Sequence, residues 1–140
     1  MYSSSPPRPL RVLVADDDDE MRASVTATLQ ADGCSTVEAR DGQELLDLLC
    51  NALDEANLRP DVIVADVKMP GLSGLGVLAA LQRTRWELPV VLITALTDES
   101  IHTVATRLGA VGILRKPFDP DDLTTAVRNA TAIRELRACR

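Results

Sequence analysis

The chain has 140 residues, 46% of them hydrophobic, with only three aromatics (Tyr2, Trp86 and Phe118) and a net charge of −6. This is one domain of ordinary size with an aliphatic core, a composition that suits a parallel sheet covered by helices on both faces. The acidic balance argues against a nucleic-acid-binding face, and no apolar run approaches the ~20 residues that span a bilayer.

Residues 1–9 hold three serines and three prolines without an apolar segment, and are expected to form a disordered tail rather than a secretory signal. The first strand, β1, is expected at about 10–15 and leads into the acidic run Asp16–Glu20. A helix, α1, follows from about Asp18 to Asp32, with Met21, Val25, Thr28 and Leu29 near helical spacing and Gly33 as its stop. Strand β2, 35–39, is the most polar, as suits a sheet edge. Asp41 and Gly42 turn into α2, about 43–52, whose apolar face is Leu45, Leu46, Leu48 and Leu49; the long connection 51–60 could add a turn to it.

Strand β3 is expected at 61–65 and ends against Asp66, with Pro70-Gly71 immediately beyond. Ser73 reads as the N-cap of α3, with an apolar stripe through Leu75, Leu78 and Leu81 and with Trp86 at its far end. Strand β4, 90–93, runs into Thr94, and α4 extends from near Asp98 to Gly109. Strand β5, about 111–114, precedes Lys116. The last helix, α5, opens on Asp119-Pro120 with acids in its first turn and carries Leu123, Val127, Ala130 and Ile133 inward. The basic residues near its end complement the helix dipole.

Alternating strands and helices predict an α/β domain with a doubly wound five-stranded parallel sheet, order 2-1-3-4-5, the flavodoxin-like arrangement. In that order the ligand crevice lies between β1 and β3, so Asp16, Asp17 and Asp66 converge, with Thr94 and Lys116 on the strands to one side. Three close carboxylates repel and need a cation. Oxygen-only ligands without His or Cys select a hard ion such as Mg²⁺. With Lys116 and Thr94 added, the set suits stabilisation of a phosphoryl group in transfer, Asp66 acting as the nucleophile.

Four segments in order, Val14–Arg22, Asp61–Gly71, Ile93–Ala95 and Gly109–Phe118, resemble the receiver domain of two-component response regulators. The resemblance covers about residues 10–133, leaving 134–140 as an extension of the last helix. It implies that Asp66 accepts a phosphoryl group from a histidine kinase or phosphotransfer protein, in a Mg²⁺-dependent reaction that switches partner binding. Asp17, Asp66 and the main-chain carbonyl of Lys68 would bind the ion, with Asp16 touching it directly or through water. Thr94 and Lys116 would contact the phosphoryl oxygens, and the Lys116–Pro117 peptide would be cis. Output would pass through the α4–β5–α5 face to a downstream protein, the chain being a monomer or a phosphorylation-dependent dimer.

Two departures bear on the implied roles. Ile113 stands where the family usually has Tyr or Phe, so no aromatic ring is available to swing inward with Thr94. Leu72-Ser73-Gly74 replaces a commoner Asp-Gly. No output domain follows, so the chain reads as a stand-alone cytoplasmic receiver or as one ending inside a linker.

Two rivals remain. A Mg²⁺-dependent phosphohydrolase would need a carboxylate at position 68, where this chain has Lys, and a cap domain. A phosphorylation-independent interaction module on the same fold has Ile113 in its favour, but the acid-pocket residues are all present. His102 and the cysteines are expected to be solvated and inert, respectively, and Lys68 could overhang the pocket and slow hydrolysis of an acyl phosphate.

Overall fold

Three short aliphatic runs, β1, β3 and β4, form the centre of a single sheet, flanked by the more polar β2 and by β5. The computed structural model describes residues 8–55, 58–84, 86–95 and 99–138. Residues 1–7 of the expected tail (1–9), the expected α4 start at Asp98, and Cys139 lie outside the described residues; Arg8 is held by Asp61 and does not belong to a disordered tail. Among the described residues, the order is β1 Arg11–Ala15, α1 Asp19–Ala31, β2 Ser35–Ala39, α2 Gly42–Asp54, β3 Val62–Asp66, α3 Gly74–Gln82, β4 Val90–Thr94, α4 Glu99–Arg107, β5 Gly112–Arg115 and α5 Pro120–Ala138. All pairings are parallel and the strand order is β2-β1-β3-β4-β5, as expected.

Period-two alternation divides the core between two faces. Leu13, Ala15, Ile63, Ala65 and Leu92 pack with Leu45 and Leu49 of α2, Val77 and Leu78 of α3 and Ala105 of α4. Val12, Val14, Val62, Val64, Val91 and Ile93 pack with Val25 and Leu29 of α1 and Leu123, Val127 and Ala130 of α5. β3 and β4 are buried along their whole length. Each large aliphatic side chain buried there contributes roughly 1.5–3 kcal/mol. That gain lets the sheet carry ionisable groups at its rim.

The caps follow the local chemistry. Asp18 accepts from the amides of Glu20 and Met21 at the start of α1, Asp41 from Glu44 at α2, and Ser73 from Gly76 at α3. At α5 the reciprocal contact is seen, Asp122 accepting from the Asp119 amide. Gly33, at φ +91°, closes α1 in the left-handed conformation expected of a helix stop.

Several local expectations shift. β3 begins one residue later and includes Asp66, because Asp61 is occupied elsewhere. Its carboxylate takes two hydrogen bonds from the Arg8 guanidinium, 2.8 and 2.9 Å, and one from the Arg11 amide, 2.8 Å. β5 also begins one residue later, at Gly112. In α3 the fully buried residues are Gly74, Val77 and Leu78, while Leu75 and Leu81 pack from the margin. The reason is the close seating of Gly74: a Cβ there would lie 2.6 Å from the Asp66 carbonyl oxygen. That contact fixes the helix rotation and turns Val77 inward. Trp86 lies beyond the end of α3 and packs against the core from its margin.

Candidate functional site

Parallel strands share one polarity, so their C-terminal ends meet at one edge. Ala15 pairs with Ala65, Asp66 with Ile93, and Thr94 with Arg115. Asp16 therefore follows β1 at the level of Asp66, Thr94 lies one residue beyond the partner of Asp66, and Lys116 one beyond the partner of Thr94. The ladder continues into these residues through Asp16 N to Ala39 O, 3.1 Å, Val67 N to Ile93 O, 2.9 Å, and Lys116 N to Thr94 O, 2.8 Å. Each side chain is thereby held on rigid backbone.

Asp16, Asp66 and Thr94 are buried, at 1%, 6% and 3% exposure, whereas Asp17 is exposed. One carboxylate oxygen from each of Asp16, Asp17 and Asp66 lies within 4.8 Å of the others. Two like charges at that separation repel by about 3 kcal/mol at an effective dielectric of 20. Lys116 answers part of this repulsion, its Nζ donating to Asp66 Oδ2 at 2.8 Å. Asp66 Oδ1 accepts from the Lys68 amide at 2.9 Å, while the Lys68 side chain is exposed. One ammonium against three carboxylates still leaves an excess of negative charge.

Burial and neighbouring charge both shift the titrating groups. Burial pushes the Asp16 carboxyl up to about 6; the Asp18 amide opposes the shift, and the charges of Asp66 and Asp17 add to it. Burial disfavours the Lys116 ammonium, but its hydrogen bond to Asp66 and the charges of Asp66, Asp16 and Asp18 outweigh this and raise its pKa. Asp16 Oδ1 accepts from the Asp18 amide at 2.9 Å. Asp16 Oδ2 is buried and has no hydrogen-bond partner among the described residues. An orphaned buried carboxylate oxygen on a side chain clustered with two more carboxylates fits a hard divalent cation such as Mg²⁺. Asp16, Asp17 and Asp66 are the side chains that could hold it.

The Lys116–Pro117 peptide is cis. Ile113 is half-buried and packs against the core cluster that includes Leu92 and Ala105, while Val104 of α4 is exposed. His102 is exposed, and Cys34 and Cys50 are free thiols. Arg22 was visible only as part of a motif, without a role; the structure ties it to Asp16. The one local signal for it was its spacing of three from Asp19, an ion-pair distance on a helix. No helix among the described residues is long and apolar enough to cross a membrane.

The model of a family described as the response regulator receiver domain matches residues 12–128. Response regulator MprA of Mycobacterium sp. (strain KMS) is 40% identical over 120 residues, which make up 86% of this chain and 50% of that protein. The C4-dicarboxylate transport transcriptional regulatory protein DctD of Pseudomonas aeruginosa is 35% identical over 126 residues, 90% of this chain and 26% of its own. The chain thus spans half or less of the length of these curated relatives. Among solved structures, a response regulator receiver domain protein from Clostridium thermocellum superposes with a TM-score of 0.79 at 29% identity, covering 90% of this chain and 97% of its own. The chemotaxis protein CheY4 of Vibrio cholerae superposes with a TM-score of 0.74 at 31% identity, covering 87% and 98%.

Proposed function

The chain belongs to the response regulator receiver domain family, and on that premise we propose that Asp66 is its phosphoacceptor. A carboxylate oxygen of Asp66 attacks the phosphorus of a phosphohistidine on a histidine kinase or phosphotransfer protein. The P–N bond breaks, its electron pair stays on the imidazole, which takes up a proton, and Asp66 becomes an acyl phosphate. Asp16, Asp17, Asp66 and the main-chain carbonyl of Lys68 would hold Mg²⁺. When bound, the ion offsets the excess negative charge and supplies a fixed positive charge for phosphoryl oxygens.

Lys116, now on Asp66 Oδ2, keeps its ammonium beside the acquired phosphoryl group. Thr94 offers its hydroxyl to one of the phosphoryl oxygens. Movement of Thr94 and of Ile113, on the adjoining strand, is the route to the α4–β5–α5 face, where a downstream protein or a second receiver would bind. Autodephosphorylation, by water attacking the acyl phosphate, ends the signal. The observation that carries this reading is the convergence of Asp16, Asp17 and Asp66 with Lys116 paired to Asp66.

The test is a comparison of amide ¹H–¹⁵N spectra of wild type and Asp66→Asn with Mg²⁺ and beryllium fluoride. Wild-type signals should move around positions 66, 94 and 113, and Asp66→Asn should show none of these changes. A silent wild type, or identical changes in Asp66→Asn, would refute the assignment. A phosphorylation-independent interaction module is the second reading, favoured by one feature, the aliphatic side chain at Ile113; it predicts partner binding unchanged by beryllium fluoride.

A further inference from the structure

Arg22, in the first turn of α1, lies outside the acid pocket yet is fastened to it. Its side chain is 12% exposed and its guanidinium reaches three elements. Nη1 donates to the main-chain carbonyl of Asp16 at 2.8 Å, Nη2 to Asp19 Oδ1 at 2.7 Å, and Nε to Glu38 Oε1 of β2 at 3.2 Å. The bond to Asp16 is made to the carbonyl and not to the carboxylate. The guanidinium charge is met by Asp19 and Glu38, so Arg22 does not compete with a cation for the Asp16 side chain.

For Asp16, this contact completes its restraint. Its amide is held by Ala39 O, its carbonyl by Arg22 and its Oδ1 by the Asp18 amide. What remains is Oδ2, the buried atom without a hydrogen-bond partner among the described residues, on a side chain clustered with Asp17 and Asp66. Asp16 lies one residue past the end of β1, where sheet pairing alone no longer holds both sides of the backbone. We propose that Arg22 is a positioning residue for the divalent-cation site: by clamping the Asp16 carbonyl it sets the direction of Asp16 Oδ2, and with it the affinity of the pocket for Mg²⁺. The proposal rests on the acid-pocket reading given above. Lysine is a poor substitute, because one ammonium cannot span acceptors on three elements as a planar guanidinium does.

Outer contacts that orient a metal ligand typically change affinity ~10–100-fold when removed. Mg²⁺ titrations followed by amide spectra, on metal-free wild type, Arg22→Ala, Arg22→Lys and Glu38→Gln, measure this directly. Urea unfolding without metal reports on stability in parallel. Arg22→Ala should weaken Mg²⁺ binding about tenfold, and Arg22→Lys should move in the same direction. Saturating Mg²⁺ should restore the rate of phosphorylation by acetyl phosphate in both variants. Glu38→Gln, which loosens only the β2 end of the contact, should keep its Mg²⁺ affinity within about twofold of wild type, well below that effect.

A role confined to joining α1 with β2 predicts the reverse: lower stability in Arg22→Ala and Glu38→Gln alike, with wild-type Mg²⁺ affinity. That result overturns the proposal. Should Arg22→Ala not fold, Arg22→Lys, which keeps the stem and the charge, decides on the same criterion. A wild type whose spectra ignore Mg²⁺ overturns the acid-pocket reading and this proposal together. A wild type that binds Mg²⁺ with the same affinity as both Arg22 variants overturns this proposal alone.

Discussion

Replacing Asp16 by asparagine should make the metal-free protein more stable while weakening the site. Asp16 is 1% exposed, and burial carries its carboxyl from an ordinary 3.8 up to about 6. Between those values the folded protein holds a proton that the unfolded chain has released, so stability falls as pH rises through that window and levels off above it. The full displacement corresponds to about 3 kcal/mol, and water at the rim beside exposed Asp17 reduces this to about 1–3 kcal/mol. The asparagine side chain would keep an oxygen for the Asp18 amide, which now donates to Asp16 Oδ1. It would also place an amide donor at the position of Oδ2, which has no hydrogen-bond partner among the described residues, in the cluster with Asp17 and Asp66.

Urea unfolding followed by circular dichroism, in chelator and from about pH 4 to pH 8, is the assay. Asp16→Asn should exceed wild type by about 1–3 kcal/mol at the upper end, and the advantage should shrink toward pH 4. Mg²⁺ should then stabilise wild type by mass action and the variant much less. A variant no more stable than wild type at pH 8, or one whose advantage is independent of pH, would refute the reasoning.

Three further outcomes are expected. Millimolar Mg²⁺ should raise the melting temperature of wild type but not of Asp17→Asn; an equal rise in both counts against the acid cluster as the ion site. Gly74→Ala should cost about 1–3 kcal/mol by overpacking, since its Cβ would meet the Asp66 carbonyl at 2.6 Å and Leu92 Cδ2 at 2.9 Å. Gly71→Ala, at φ +80° with open space around it, should cost only about 1 kcal/mol, and the reverse order of the two would contradict this account of the loop. On the proposed role of Asp66, Lys68→Ala should speed loss of its phosphoryl group, because the exposed Lys68 side chain stands two residues past it, and equal rates would end that idea.

The order of elements and the membership of the acid pocket were legible in the chain before it folded. Aliphatic runs leading to Asp16, Asp66, Thr94 and Lys116 mark parallel strands, and parallel strands must deliver their final residues to the same edge. The cap at Ser73 was legible for a similar reason, being a local hydrogen bond over three residues. The directional contacts came with the tertiary fold alone. Lys116 reaches Asp66 across 50 residues, Arg8 reaches Asp61 across 53, and Arg22 joins Asp16 to Glu38. The inward rotation of Val77 in place of Leu75 likewise follows from the seating of Gly74 on the Asp66 carbonyl. Periodicity records which side of an element faces water. Which oxygen is left without a partner depends on side-chain direction and close packing, and those are set only once the sheet has closed around Asp16 and Asp66.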